Sequence, residues 1–73
     1  MYLDNDQIDE MAQAALASYE MSADWRYGFD AAREYALEVI GVRPNRTAVL
    51  LAVKIAKVKW MVIVNQVKRE VQS

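Results

Sequence analysis

The side chains that most often do chemistry are missing from this chain or stand in poor settings. It has no histidine and no cysteine. That removes the usual general base near neutral pH, the commonest zinc ligand, any thiolate nucleophile and any disulfide framework. The serines are Ser18, Ser22 and Ser73, none of them in the Gly-x-Ser-x-Gly setting of a nucleophile elbow. Gly28 and Gly41 are the only glycines, so no glycine-rich phosphate loop exists. Asp6, Asp9 and Glu10 could be read as a magnesium-binding carboxylate cluster. They also fall in the first turns of a helix starting at Asp4, where acidic residues suit the helix dipole. The residue types predict no enzyme, no metal site and no cofactor.

Two other groups suit binding rather than catalysis. Arg43, Asn45 and Arg46 form a basic corner within residues 43–47. Around it, residues 35–50 read as helix, glycine, short polar turn and second helix, the outline of a helix-turn-helix. Its arginines and Asn45 would begin the recognition helix, where base and phosphate contacts are made. The turn is one residue longer than the usual pattern, however, and after Thr47 the helix becomes almost wholly apolar. A net charge of −1 is also unlike that of a dedicated DNA binder. The second group is Lys57, Trp60, Met61, Val64, Val67 and Lys68. Tryptophan and methionine are enriched in the cores of protein interfaces, and basic residues rim them. Core packing is the plainer reading of Trp60. Tyr2, Tyr19, Tyr27 and Tyr35 add adaptable contact surface, with Tyr27 expected to be exposed.

These residues need elements to position them, and the pattern is helical throughout. Asp4 and Gln7 form a capping box, and Leu3 and Ile8 a hydrophobic staple. From there Ile8, Met11, Ala12, Ala15 and Tyr19 recur at helical spacing, with Leu16 on the flank, predicting a helix over about 4–20. A second helix over about 24–40, capped by Ser22 or Asp24, gathers Trp25, Gly28, Phe29, Ala32, Tyr35, Ala36, Val39 and Ile40 on one face. Asp30 is placed there to pair with Arg33 or Arg26. The small residues Gly28, Ala32 and Ala36 invite close approach of another helix. Gly41 closes this helix as a C′ glycine, and Pro44 opens the next.

The third helix, about 45–72, has no internal glycine or proline. On a 100° wheel it carries two apolar faces: Leu51, Ile55, Val58 and Val62, and a broader one from Val49 through Val53, Trp60 and Val67 to Val71. Its many β-branched residues offer a strand alternative. A hairpin would need a turn between Lys54 and Lys59, where no Gly, Pro, Asn or Asp stands. Lys59 is expected to snorkel at the edge of the apolar surface. Lys54, Lys57 and Lys59 also argue against a membrane span, since a mid-membrane charge costs about 2.5–3.5 kcal/mol even on the lenient scale.

The 73 residues make one small domain, marginal on its own, with 55% hydrophobic and 26% charged residues. Charge is strongly polarised: residues 1–41 are net −7 and residues 42–73 net +6. The halves are therefore expected to face each other, within one chain or between two.

The expected fold is all-α, with two short antiparallel helices packed on a long C-terminal helix within residues 1–73. Two helices of about 24 Å cannot cover one of about 40 Å that is apolar on two faces. A homodimer, or another protein partner, is expected to cover residues around Val58–Val71. The expected function is that of a small cytoplasmic protein-binding module, without cofactor or membrane, that modulates or inhibits a larger macromolecular complex. Its size suggests a phage or mobile-element origin, with host machinery as the partner. DNA binding through the basic corner is the alternative.

Overall fold

The structure, a computed structural model, describes residues 3–72, the side chain of Gln72 excepted. Tyr2 and Ser73 lie outside these. Three helices follow in order: α1 (Asn5–Ser22), α2 (Trp25–Tyr35), continued by a π-helical turn (Ala36–Ile40), and α3 (Arg46–Gln72). No strand occurs among the described residues. The β-branched stretch from Thr47 to Val71 is one uninterrupted helix. Without a turn signal, burying a continuous helical stripe outweighs local strand propensity.

The capping expectations hold at α1. Asp4 Oδ1 accepts from the Gln7 N–H at 2.8 Å, and the Asp4 N–H donates to Gln7 Oε1 at 3.1 Å. The helix runs to Ser22, two residues beyond the expected end, and closes on Ala23 at φ 56°. A left-handed alanine costs about 1–2 kcal/mol. The Ala23 N–H donates to the Tyr19 carbonyl at 2.7 Å, which satisfies part of the helix end. Asp24 then caps α2 by accepting from the Arg26 N–H at 2.9 Å.

The core is a band of small and medium side chains. Ile8, Met11, Ala12, Ala15 and Leu16 of α1 meet Ala32 of α2, Ala36 of the π turn, and Val49, Ala52, Val53 and Ala56 of α3. Six of these eleven side chains are alanine, so the helices approach closely. At Gly28 a Cβ would stand 3.2 Å from the Ala15 carbonyl oxygen. That is tight against backbone that cannot swing away, and it explains glycine in mid-helix. Along the α1–α2 contact, Tyr19 stacks on Trp25 with centroids 4.0 Å apart. Tyr35 donates to Glu10 Oε2 at 3.3 Å. Tyr27 is exposed, as expected.

Two local expectations fail. Val39, assigned to the buried face of the second helix, is 64% exposed. It lies in the π turn, where the wider backbone repeat shifts the register of side chains that a regular α-helix would align. The Gly41 and Val42 N–H groups both donate to the Ala36 carbonyl, closing that turn. Asp30 pairs with neither Arg26 nor Arg33. Arg26 instead binds Asp24, Nη2 to Oδ2 at 2.8 Å, because Asp24 is already fixed there as the cap.

Candidate functional site

α3 is the longest element, and its two stretches differ sharply. Val49, Ala52, Val53 and Ala56 are 7% exposed or less. Beyond them Val58, Met61, Val62, Ile63, Val67 and Val71 are between 38% and 79% exposed. Trp60 marks the border. It is half-buried, packed against the core, with its ring edge-on to Tyr19 at 5.3 Å. Lys59 stands beside it and binds Asp9 Oδ1 at 2.7 Å, clamping α1 to α3. The expected snorkelling lysine thus has a specific partner.

The uncovered stretch carries two apolar rows. One continues the core stripe past Trp60, through Ile63, Val64, Val67 and Val71. The other is Leu51, Val58 and Val62, with Ile55 in the same row but packed against the core. Molecular extents of 47 × 23 × 18 Å reflect this projection, since 27 helical residues alone span about 40 Å. Of the residues assigned to partner binding, Met61, Val67, Lys57 and Lys68 are exposed, and Trp60 and Val64 are half-buried. Lys57 leans back toward the bundle, its Nζ 5.8 Å from the centre of the Trp25 ring.

The basic corner is built by the Gly41–Asn45 connection. Gly41 sits at φ 81°, in the left-handed region its C′ role requires. Arg43 and Arg46 are exposed. Asn45 is exposed too, but its side chain is engaged: Oδ1 accepts from the Ala48 N–H at 2.7 Å, as an N-cap of α3. The cap engages Oδ1 and fixes the side chain against the first turn of α3.

Between α2 and α3 lies an open groove of about 860 Å³. Arg33, Arg43, Arg46 and Lys57 contribute to its walls, with Phe29 and Leu50 as apolar contacts. The groove was not legible in the sequence because Arg33 belongs to a different element from the basic corner. One signal was present: Arg26 and Arg33 are seven residues apart, which puts both on the same edge of α2.

Two of the three carboxylates of the N-terminal cluster are drawn into structural roles. Asp9 pairs with Lys59, and Glu10 accepts from Tyr35. Among the described residues, no group of three or more acidic side chains stands close enough to hold a metal ion, and no helix is long and apolar enough to cross a membrane. Two titrating groups are displaced. Hydrogen bonds from the Arg26 side chain and backbone hold the Asp24 carboxyl below its usual range. Loss of hydration, followed by the nearby Glu10 charge, pushes the Tyr35 phenol above its usual value.

No family model, curated protein or solved structure matches this chain.

Proposed function

We propose that the chain is a non-enzymatic protein-binding module, in which α1 and α2 form an antiparallel pair that holds α3 while its far stretch engages a partner. The first partner is a second copy, and the assembly modulates or inhibits a larger macromolecular complex. One observation carries this reading: six large apolar side chains from Val58 to Val71 are exposed on a helix whose preceding stretch buries Val49, Ala52, Val53 and Ala56. Contiguous apolar surface of this kind marks interaction sites, whereas scattered apolar residues do not.

Magnitudes support a shared rather than a single-residue interface. Fully covering one Val, Ile or Met is worth about 1.5–3 kcal/mol. Association costs about 4–15 kcal/mol in lost freedom, so several of these side chains must be buried together. Two copies of the stretch, related by a twofold axis, supply two such rows each.

Sedimentation velocity over a range of concentrations tests it. The parent chain is expected to associate, and the double variant Val62→Glu/Val67→Glu to remain monomeric with its helical content unchanged. A parent that stays monomeric at the highest concentration reached removes the dimer. If in addition no protein is retained from a nuclease-treated lysate, the binding-module reading falls as well.

The helix-turn-helix-like alternative retains the exposed Arg43 and Arg46 as phosphate contacts. Asn45 Oδ1 is engaged as a cap, and the helix beyond Thr47 offers few polar side chains for base contacts, which favours the protein-binding reading.

A further inference from the structure

The α2–α3 groove is a second surface, separate from the uncovered stretch of α3. Its charge is one-sided. Arg26, Arg33, Arg43, Arg46 and Lys57 line it against a single carboxylate, Asp30. Arg26 is neutralised by Asp24, but Arg33, Arg43 and Arg46 make no ion pair with any described residue. In a chain with ten acidic residues, leaving three arginines unpaired around one groove is a distribution the fold itself does not require. The groove is also not purely basic. Phe29 is half-buried along it, and Leu50 is 48% exposed. Cations around an apolar floor match a ligand with apolar anchors flanked by negative charge.

We propose that this groove docks an acidic amphipathic helical segment of a partner protein, with apolar anchors on Phe29 and Leu50 and carboxylates on Arg33, Arg43 and Arg46. An arginine guanidinium can bind a carboxylate through two parallel hydrogen bonds, which suits this geometry. A helix laid in a groove presents anchors one turn apart, the common mode for such sites. The observations favour a short acidic segment over a nucleic acid for two reasons. The Trp25 ring, the aromatic best able to stack on a base, is already stacked by Tyr19 and approached by the Lys57 ammonium. Glu34 of α2 and Glu38 of the π turn are exposed and do not line the groove, and residues 1–41 are net −7. A long polyanion crossing the molecule would meet that charge, whereas a segment confined to the groove does not.

Fluorescence anisotropy with the full chain provides the test. The probe is a labelled helical peptide of about 18 residues, ~27 Å long, with Leu at one-turn spacing and Glu on its flanks. Three comparison ligands accompany it: the same composition with the Leu positions scrambled, a Lys-for-Glu version, and a duplex DNA of similar length. The Glu peptide is expected to bind, with affinity falling as salt rises. Arg33→Glu/Arg46→Glu should weaken it at least about tenfold and Leu50→Ser about fivefold, as for residues central to an interface. All three positions are exposed, so helical content measured by circular dichroism should not change. Val62→Glu/Val67→Glu should leave peptide affinity unchanged, which separates this site from the proposed dimer face. The proposal is overturned by absence of binding, by equal binding of the scrambled peptide, or by an affinity the groove variants do not alter. Tighter binding of the duplex would assign the groove to nucleic acid instead. Loss of self-association in Arg33→Glu/Arg46→Glu would assign it to a second copy.

Discussion

The two stretches of α3 are both rich in apolar residues and differ in how much of that surface is covered. From Val49 to Ala56 the helix carries one lysine among apolar residues, and it buries Val49, Ala52, Val53 and Ala56 in the core while Leu50 and Leu51 stay partly exposed. From Val58 to Val71 eight of fourteen residues are apolar, and most of these meet solvent along two rows. The difference does not come from helix propensity, since one unbroken helix spans both. It comes from reach, because cover thins beyond Trp60, which packs against the core, and the half-buried Val64. Hydrophobicity therefore tells where a surface wants cover, and the lengths of neighbouring elements tell whether it receives any.

The contrast makes its strongest prediction through charge. Val49→Asp places an unpaired carboxylate at a fully covered position and should cost about 3–5 kcal/mol, enough to unfold so small a domain. Val67→Asp is the same chemical change about five turns on. Dilute, monomeric protein should stay within about 0.5 kcal/mol of the parent. Urea unfolding of both variants at low concentration decides it. Equal losses would mean that the far stretch is covered within the chain.

A smaller effect is expected at the joint that launches α3. Apart from its chain neighbours, nothing stands within 4 Å of where a Cβ on Gly41 would lie, so Gly41→Ala meets no other part of the fold. The left-handed backbone alone should make it destabilising by about 1–2 kcal/mol. Ala23→Gly, at the other left-handed cap, should move thermal stability in the opposite direction. If both substitutions shift stability the same way, backbone conformation is not what governs these caps.

At the border between the two stretches, Asp9→Asn should remove only about 0.2–1 kcal/mol, because the Lys59 pair is half in solvent. Lys59→Met tests the same clamp from the other side, and a double-mutant cycle isolates the pair. A coupling of several kcal/mol would show the border to be held by charge rather than by Trp60 and its neighbours.

The subtlest effect belongs to alkaline pH on the covered side. The folded Tyr35 phenol titrates above its unfolded value, so the folded state holds its proton more tightly. Its contribution is present below pH of about 10, the unfolded value, and is lost as pH rises through the folded one. Tyr35→Phe should therefore flatten the fall in stability above about pH 10, as followed by urea unfolding across that range. The Asp24 carboxyl has the opposite sign: depressed in the folded state, it contributes above its unfolded value and loses that contribution as pH falls through the folded one.

Much of the fold was legible because its signals are local. The Asp4–Gln7 capping box, the Asp24 cap and the Gly41 stop each depend on residues within one turn, and each stands where those residues place it. The helical stripes predicted the buried face of α1 for the same reason. On α3 they marked two apolar faces, and there Val49, Ala52, Val53 and Ala56 are covered while Leu51, Val58 and Val62 are exposed. The π turn was not legible, since Ala36–Ile40 has no residue that marks it. Val39 was consequently assigned to the wrong side. The apolar stretch from Val58 onward was foreseen by comparing helix lengths, without any contact being known.

Composition and periodicity alone determined the absence of histidine, cysteine and glycine-loop chemistry, the all-helical class and the excess of apolar surface on the last helix. Those follow from residue type and spacing along one chain, which no folding event can change. Tertiary packing decided which cations face one another. Arg33 lies ten residues from Arg43 and thirteen from Arg46, and only the approach of α2 to α3 sets them around one groove. It also decided that Asp9 reaches Lys59 across fifty positions and that Asn45 is spent on a cap. Contacts of that kind depend on how two helix surfaces meet, a property that neither surface carries by itself.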